Sequence, residues 1–192
     1  MTTKLALIAG LGNPEERYER TLHNAGFWFV DELARRFDGE FRYEKRFDAE
    51  VCNATIAGRE VWLAKPQSYM NLSGGPVRGL LDYYRLTPAE LLVAHDEIDL
   101  PPGTVRLKSG GGHGGHNGLR DIIRHCGADF MRLRIGVGHP GQKDQVTDHV
   151  LKKASAGVEA AIRTNIDEAA DVMPLLVADG LNAAMKELHT KD

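Results

Sequence analysis

A chain of 192 residues with 42% hydrophobic content can bury one ordinary core without disulfide or metal staples, so a single domain over 1–192 is expected. Its formal net charge of −3 excludes a protein that coats nucleic acid with its whole surface; any such contact must be a local patch. Cys52 and Cys126 lack metal-ligand or redox spacing, and the apolar run near the N-terminus is too short to span a bilayer, so a cytoplasmic protein with reduced thiols and no membrane association is expected.

Leu5-Ala6-Leu7-Ile8-Ala9 is a continuous apolar run closed by Gly10, the pattern of a strand buried on both faces. After a loop from Gly10 to Tyr18, the spacing of Phe27, Val30, Leu33, Ala34 and Phe37 predicts a helix, with Thr21 or Asn24 as its N-cap. Phe47 to Ile56 and Arg59 to Ala64 read as two strands joined around Ala57-Gly58, and Gly74 to Tyr84 reads as the next helix. Thr87-Pro88-Ala89-Glu90 has a capping-box pattern, but the buried strand Leu91 to Ala94 follows at once, so only a short turn is expected. That strand runs out at His95-Asp96; Thr104 to Lys108 reads as a further strand after a Pro-Pro-Gly turn. A glycine-rich loop from Gly110 to Gly118 precedes a helix over Leu119 to Cys126, and Met131 to Val137 reads as another strand. Gly138 to Asp148 is polar and read as a mobile loop, and Val158, Ile162, Ile166, Ala169 and Met173 mark a C-terminal helix that Pro174 should end or kink. Strands alternating with helices predict a single three-layer α/β domain with a mixed, mostly parallel twisted sheet and helices on both faces. In such domains functional groups collect beyond the carboxyl ends of the strands.

Several residues carry chemistry. Gly10-Leu11-Gly12-Asn13-Pro14 begins like a dinucleotide-binding turn, but Glu15 stands where the third glycine is needed, so the fingerprint is broken and no cofactor is expected. His23 and Asp96 leave strands expected at the same sheet edge. A carboxylate bound to one imidazole nitrogen would leave the other free as a general base; equally, His23 could cap a helix and Asp96 end a strand. There is no Gly-x-Ser-x-Gly elbow and no cysteine in a catalytic context, which favours an activated water over a covalent nucleophile. His113 and His116 are spaced like metal ligands, but they lie in the glycine loop without a Cys or Glu partner at ligand spacing, so no metal is expected. Asn117 could cap the following helix or point its amide at a substrate. Between Pro101 and Arg134, six basic residues (Arg106, Lys108, Arg120, Arg124, Arg132, Arg134) face only Asp121 and Asp129: a solvated surface or a docking patch.

Taken together in order, Gly10 to Pro14, Tyr18 to Gly26, Met70-Asn71-Leu72-Ser73-Gly74, His95 to Gly103, Gly110 to Gly118 and Arg132 to Pro140 make the whole chain resemble bacterial-type peptidyl-tRNA hydrolase. The resemblance implies hydrolysis of the ester between a peptide, or an N-blocked amino acid, and tRNA. It implies His23 as the base, Asp96 as its orienting partner, and Asn13, Asn71 and Asn117 as amides that position water, peptide and carbonyl oxygen. Tyr18 joins the substrate-binding set by the same resemblance. Arg106, Lys108 and Arg134 would face tRNA phosphates, Tyr69 and His116 would line the cleft, and the Gly138 to Asp148 loop would act as a lid. Peptidyl-tRNA, through its acceptor end and phosphates, is the implied partner, and a monomer is expected. The alternative is an RNA-binding member of the same fold without hydrolysis. Two positions depart from the family pattern: Leu22 stands where an arginine is usual and Glu15 where a glycine is usual.

Overall fold

The protein is described here by a computed structural model covering residues 4–190. In chain order its elements are β1 (Leu7–Gly10), α1 (Ala25–Arg36), β2 (Arg42–Glu44), β3 (Ala49–Ile56), β4 (Arg59–Pro66), α2 (Gly74–Tyr83), β5 (Leu91–Glu97), β6 (Val105–Ser109), α3 (Asn117–Cys126), β7 (Met131–Gly136), α4 (Val146–Val150), α5 (Ala156–Asp179) and α6 (Leu181–His189). The strands form one sheet in the order β2-β3-β4-β1-β5-β7-β6. β4, β1, β5 and β7 are mutually parallel, β3 and β6 run against them, and β2 reverses again beside β3.

The apolar runs of β1 and β5 follow from cover on both faces. Ile8, Leu92 and Ala94 pack into one layer with Trp28, Phe29 and Leu33 of α1 and with Ile162, Ile166 and Met173 of α5. Leu7, Ala9, Leu91 and Val93 face the other layer, with Val77 and Leu80 of α2 and Leu119 and Ile122 of α3. The result is the expected three-layer α/β arrangement. Among the described residues, no helix is long and apolar enough to cross a membrane.

Several local expectations need correction. Pro174 does not end the C-terminal helix: α5 runs through it to Asp179, because Met173, Leu176 and Val177 on either side stay buried against the sheet. α6 and the short edge strand β2 were not predicted. Neither Thr21 nor Asn24 caps α1 through its side chain. The segment read as a loop from Gly138 to Asp148 holds a short turn at Lys143–Gln145 and the start of α4.

One contact sets the position of everything that follows. α1 begins against the ends of β1 and β5 so closely that a Cβ on Gly26 would lie 2.3 Å from the Ala94 carbonyl oxygen, and one on Gly10 would lie 2.2 Å from the Gly26 carbonyl oxygen. This approach brings residue 23, just ahead of α1, over the carboxyl end of β5. Gly26→Ala is therefore expected to cost about 3 kcal/mol of stability, because backbone would have to move on both sides. Urea denaturation checks it; a variant as stable as the parent would show that α1 can back away freely.

Candidate active site

The loop leaving β1 is held by an exchange of amides. The Asn13 backbone N–H donates to Asn24 Oδ1 at 2.8 Å, and Asn24 Nδ2 donates to the Asn13 carbonyl at 3.0 Å. Asn24 thus serves the neighbouring loop instead of its own helix. Asn13 Oδ1 accepts the Met70 N–H at 2.9 Å, which fixes the orientation of the Asn13 amide and leaves Nδ2 as its donor group. One asparagine so ties the β1 loop to the turn carrying Tyr69, Met70 and Asn71.

Asp96, 3% exposed, lies at the carboxyl end of β5 and holds two imidazoles. His23 Nδ1–H donates to Oδ2 and His116 Nε2–H donates to Oδ1, each at 2.8 Å. The protons follow from bond counting. His116 is the N-cap of α3, and its Nδ1 accepts from the backbone N–H groups of Gly118 and Leu119, so the ring proton sits on Nε2. His95 Nδ1–H donates to the Asp96 carbonyl at 2.9 Å. Burial, together with the nearby His116, pushes the His95 pKa down to about 4, so it is neutral near pH 7. Burial opposes the Asp96 charge, but the two imidazoles outweigh it and hold the carboxyl well below the usual carboxylate range. For His23 burial alone would lower the pKa; the charge of Asp96 and its hydrogen bond overcome this and raise it.

His23, Asp96 and His116 are also the group among the described residues whose donor atoms could surround a metal ion, all within 4.8 Å. Their bonding does not fit one. A metal would need bare nitrogens where His23 and His116 offer N–H, and moving the His116 proton to Nδ1 would aim it at two backbone N–H groups. The cluster is built as a hydrogen-bond relay. The thiols are no rival nucleophiles, since burial pushes both Cys52 and Cys126 up to about 11.

These groups open on a cavity of about 440 Å³ lined by Asn13, His23, Tyr69, Asn71, Asp96, His116 and Asn117, with Val146, Val150 and Leu151 as an apolar wall from the α4 side. Tyr69, 60% exposed, stands at its mouth. Gly114 and Gly115 line it with φ of 57° and 84°, a backbone that keeps side chains out of the ligand's way. Asn117 does not cap α3, since His116 does; its amide, like that of Asn71, makes no hydrogen bond among the described residues. Tyr18 lies outside the cavity, with Arg17 over its ring. Lys108 and Arg134 line a second cavity of about 190 Å³ with His95, Glu97 and Arg132, and Glu97 and Gly114 also line the first. Arg106 lines neither, but it pairs across the strands with Arg134. Leu22 is buried in the core and Glu15 pairs with Arg17, so neither departure from the family pattern enters the first cavity.

Two features were not read from the sequence. Arg132, counted in the basic patch, is 2% exposed; it donates to the carbonyls of Gly111, Gly112 and Ala128 and lies over Phe130. It ties down the glycine loop and contributes no surface charge. The hold of His116 on Asp96 was also missed; the one available signal was its place immediately before a helix, where a side-chain acceptor is favoured.

A family model described as Peptidyl-tRNA hydrolase matches residues 7–192. The peptidyl-tRNA hydrolase of Halorhodospira halophila is 54% identical over 184 residues, covering 95% of each chain, and that of Haemophilus influenzae is 46% identical over 98% of each. A crystal structure of peptidyl-tRNA hydrolase from Acinetobacter baumannii superposes with a TM-score of 0.94 at 44% identity, over 98% of this chain and 96% of that one.

Proposed function

The chain belongs to the peptidyl-tRNA hydrolase family and hydrolyses peptidyl-tRNA, and from that premise we propose that His23, oriented by Asp96, is the general base that activates the attacking water. The observation that carries this reading is the 2.8 Å bond from His23 Nδ1–H to Asp96, which leaves Nε2 with its lone pair in a site that opens on the 440 Å³ cavity. Nε2 takes a proton as the water oxygen bonds to the ester carbonyl carbon. The imidazolium so formed is stabilised by the Asp96 carboxylate. As the tetrahedral intermediate collapses, the bond from carbon to the tRNA's terminal ribose oxygen breaks and that oxygen receives the proton from His23. Free peptide and tRNA leave, and the imidazole is restored.

The amides of Asn13, Asn71 and Asn117 supply neutral donors for the water, the peptide and the developing oxyanion. A lysine or arginine in their place would lower the pKa of the base. Tyr69 and the α4 wall offer apolar surface to the substrate, with α4 and the segment before it acting as a lid; Tyr18 would contact substrate from outside the cavity. In the same proposal the protein acts in the cytoplasm as a monomer. Incubation with an N-blocked aminoacyl-tRNA tests it: release of the acylated residue is expected, and binding without release would favour a non-catalytic RNA-binding protein.

Lys108 and Arg134, with Arg106 beside them, are proposed to receive tRNA phosphates. Lys108→Ala and Arg134→Ala should raise KM, leave kcat within about twofold, and each reduce the slope of log binding against log salt by about one. An unchanged slope would show that these side chains do not meet phosphate.

A further inference from the structure

Resting on the reading of His23 as the base, we infer that His116 is a positioning residue: it dictates which way the side chain at position 96 faces, and through it which nitrogen of His23 carries the proton. His116 has no freedom in this. Its Nδ1 accepts from the Gly118 and Leu119 N–H groups at 3.1 and 3.2 Å, so that nitrogen must keep its lone pair for the start of α3 to stay capped. The ring therefore always presents an N–H to position 96. A carboxylate meets this demand without loss, because it has two equivalent acceptors: Oδ1 serves His116 and Oδ2 serves His23. The Asp96 side chain is 2% exposed and that of His116 9%, which leaves little room for water to take the place of either partner.

The consequence appears when the acceptors are made unequal. Asparagine at position 96 has one acceptor and one donor end. His116 claims the oxygen, so the amide NH2 must face His23 Nδ1, which then has to accept. A neutral imidazole in that position carries its proton on Nε2, the nitrogen the reaction needs bare. Asp96→Asn should therefore lose about 10³-fold or more in kcat by holding His23 in the wrong tautomer. If His116 no longer claims the oxygen, the amide can turn over, accept from His23 Nδ1–H and restore the working tautomer.

His116→Asn is the variant of choice, because asparagine retains an N-cap acceptor for α3 but is too short to reach Asp96; His116→Ala serves as a second version. Alone, either should cost less than about tenfold in kcat, since Asp96 still accepts from His23. In the Asp96→Asn background, His116→Asn should raise kcat at least about tenfold above the single variant. A loss of contacts acting only on stability would make the double variant worse, not better. Nitrogen NMR of the histidine rings reads the tautomer directly: His23 should carry its proton on Nδ1 in the parent, on Nε2 in Asp96→Asn, and on Nδ1 again in the double variant. A His23 that stays protonated on Nδ1 in Asp96→Asn would overturn the inference. So would a double variant that keeps the Nε2 proton. Tautomers that switch as described without any recovery of turnover would support the positioning role and remove His23 as the base, so the two failures are distinguishable.

Discussion

Replacing His23 by alanine is expected to lower kcat by at least about 10³-fold while tRNA affinity stays within about twofold of the parent. The asymmetry follows from where the side chain sits. His23 touches Asp96 and His116 in the 440 Å³ cavity, whereas Lys108 and Arg134, proposed to meet phosphate, line a separate one. As the proposed base, the imidazole would accept the water proton and donate to the leaving ribose oxygen, so its removal should act on the reacting atoms alone. Single-turnover release from an N-blocked aminoacyl-tRNA, paired with a binding titration, separates the two effects. Full activity in the variant would remove the general-base assignment.

The second large effect is Asp96→Ala. Two part-buried imidazoles lose their shared acceptor, and nothing then sets the His23 tautomer, so kcat should fall by about 10²- to 10⁴-fold. The pH profile should move as well, and its sign is fixed. A base works only when unprotonated, so kcat/KM falls as pH drops through the His23 pKa. Burial lowers that pKa and Asp96 raises it, with the net shift upward. With the carboxylate gone, burial remains, and the acid limb of the residual activity should move to lower pH. A limb that stays in place would mean that Asp96 does not set the ionisation of the base.

Much of this arrangement was legible in the sequence, for reasons that can be named. The runs Leu7 to Ala9 and Leu91 to Ala94 are apolar at every position because both sheet faces are covered, and that marks both as central strands. Once they are adjacent and parallel, His23 and Asp96 fall at the same edge. The turn at Thr87 to Glu90 was readable because its bond is local: the Thr87 N–H reaches Glu90 Oε2 at 2.7 Å.

What was hidden depended on partners distant in sequence. Asn24 looked like a cap because its local position is that of one, and only the fold brings Asn13 near enough to take its amide. Arg132 looked like surface charge beside Arg134, yet the antiparallel pairing of β6 and β7 places it under the glycine loop. Pro174 reads as a stop because its local penalty is real, whereas the packing that carries α5 through it is tertiary. The edge strand Arg42-Tyr43-Glu44 has no apolar alternation to betray it.

The central claim is that the imidazole of His23, held by Asp96, is the group whose unprotonated form limits turnover. Titrating the His23 ring by NMR in the free enzyme, alongside the pH dependence of kcat/KM, tests this most directly. The account predicts that the ring titrates above the ordinary histidine value of about 6.5 and that its midpoint coincides with the acid limb of kcat/KM. Two midpoints that clearly differ, or a ring that remains unprotonated while activity is lost, would contradict it.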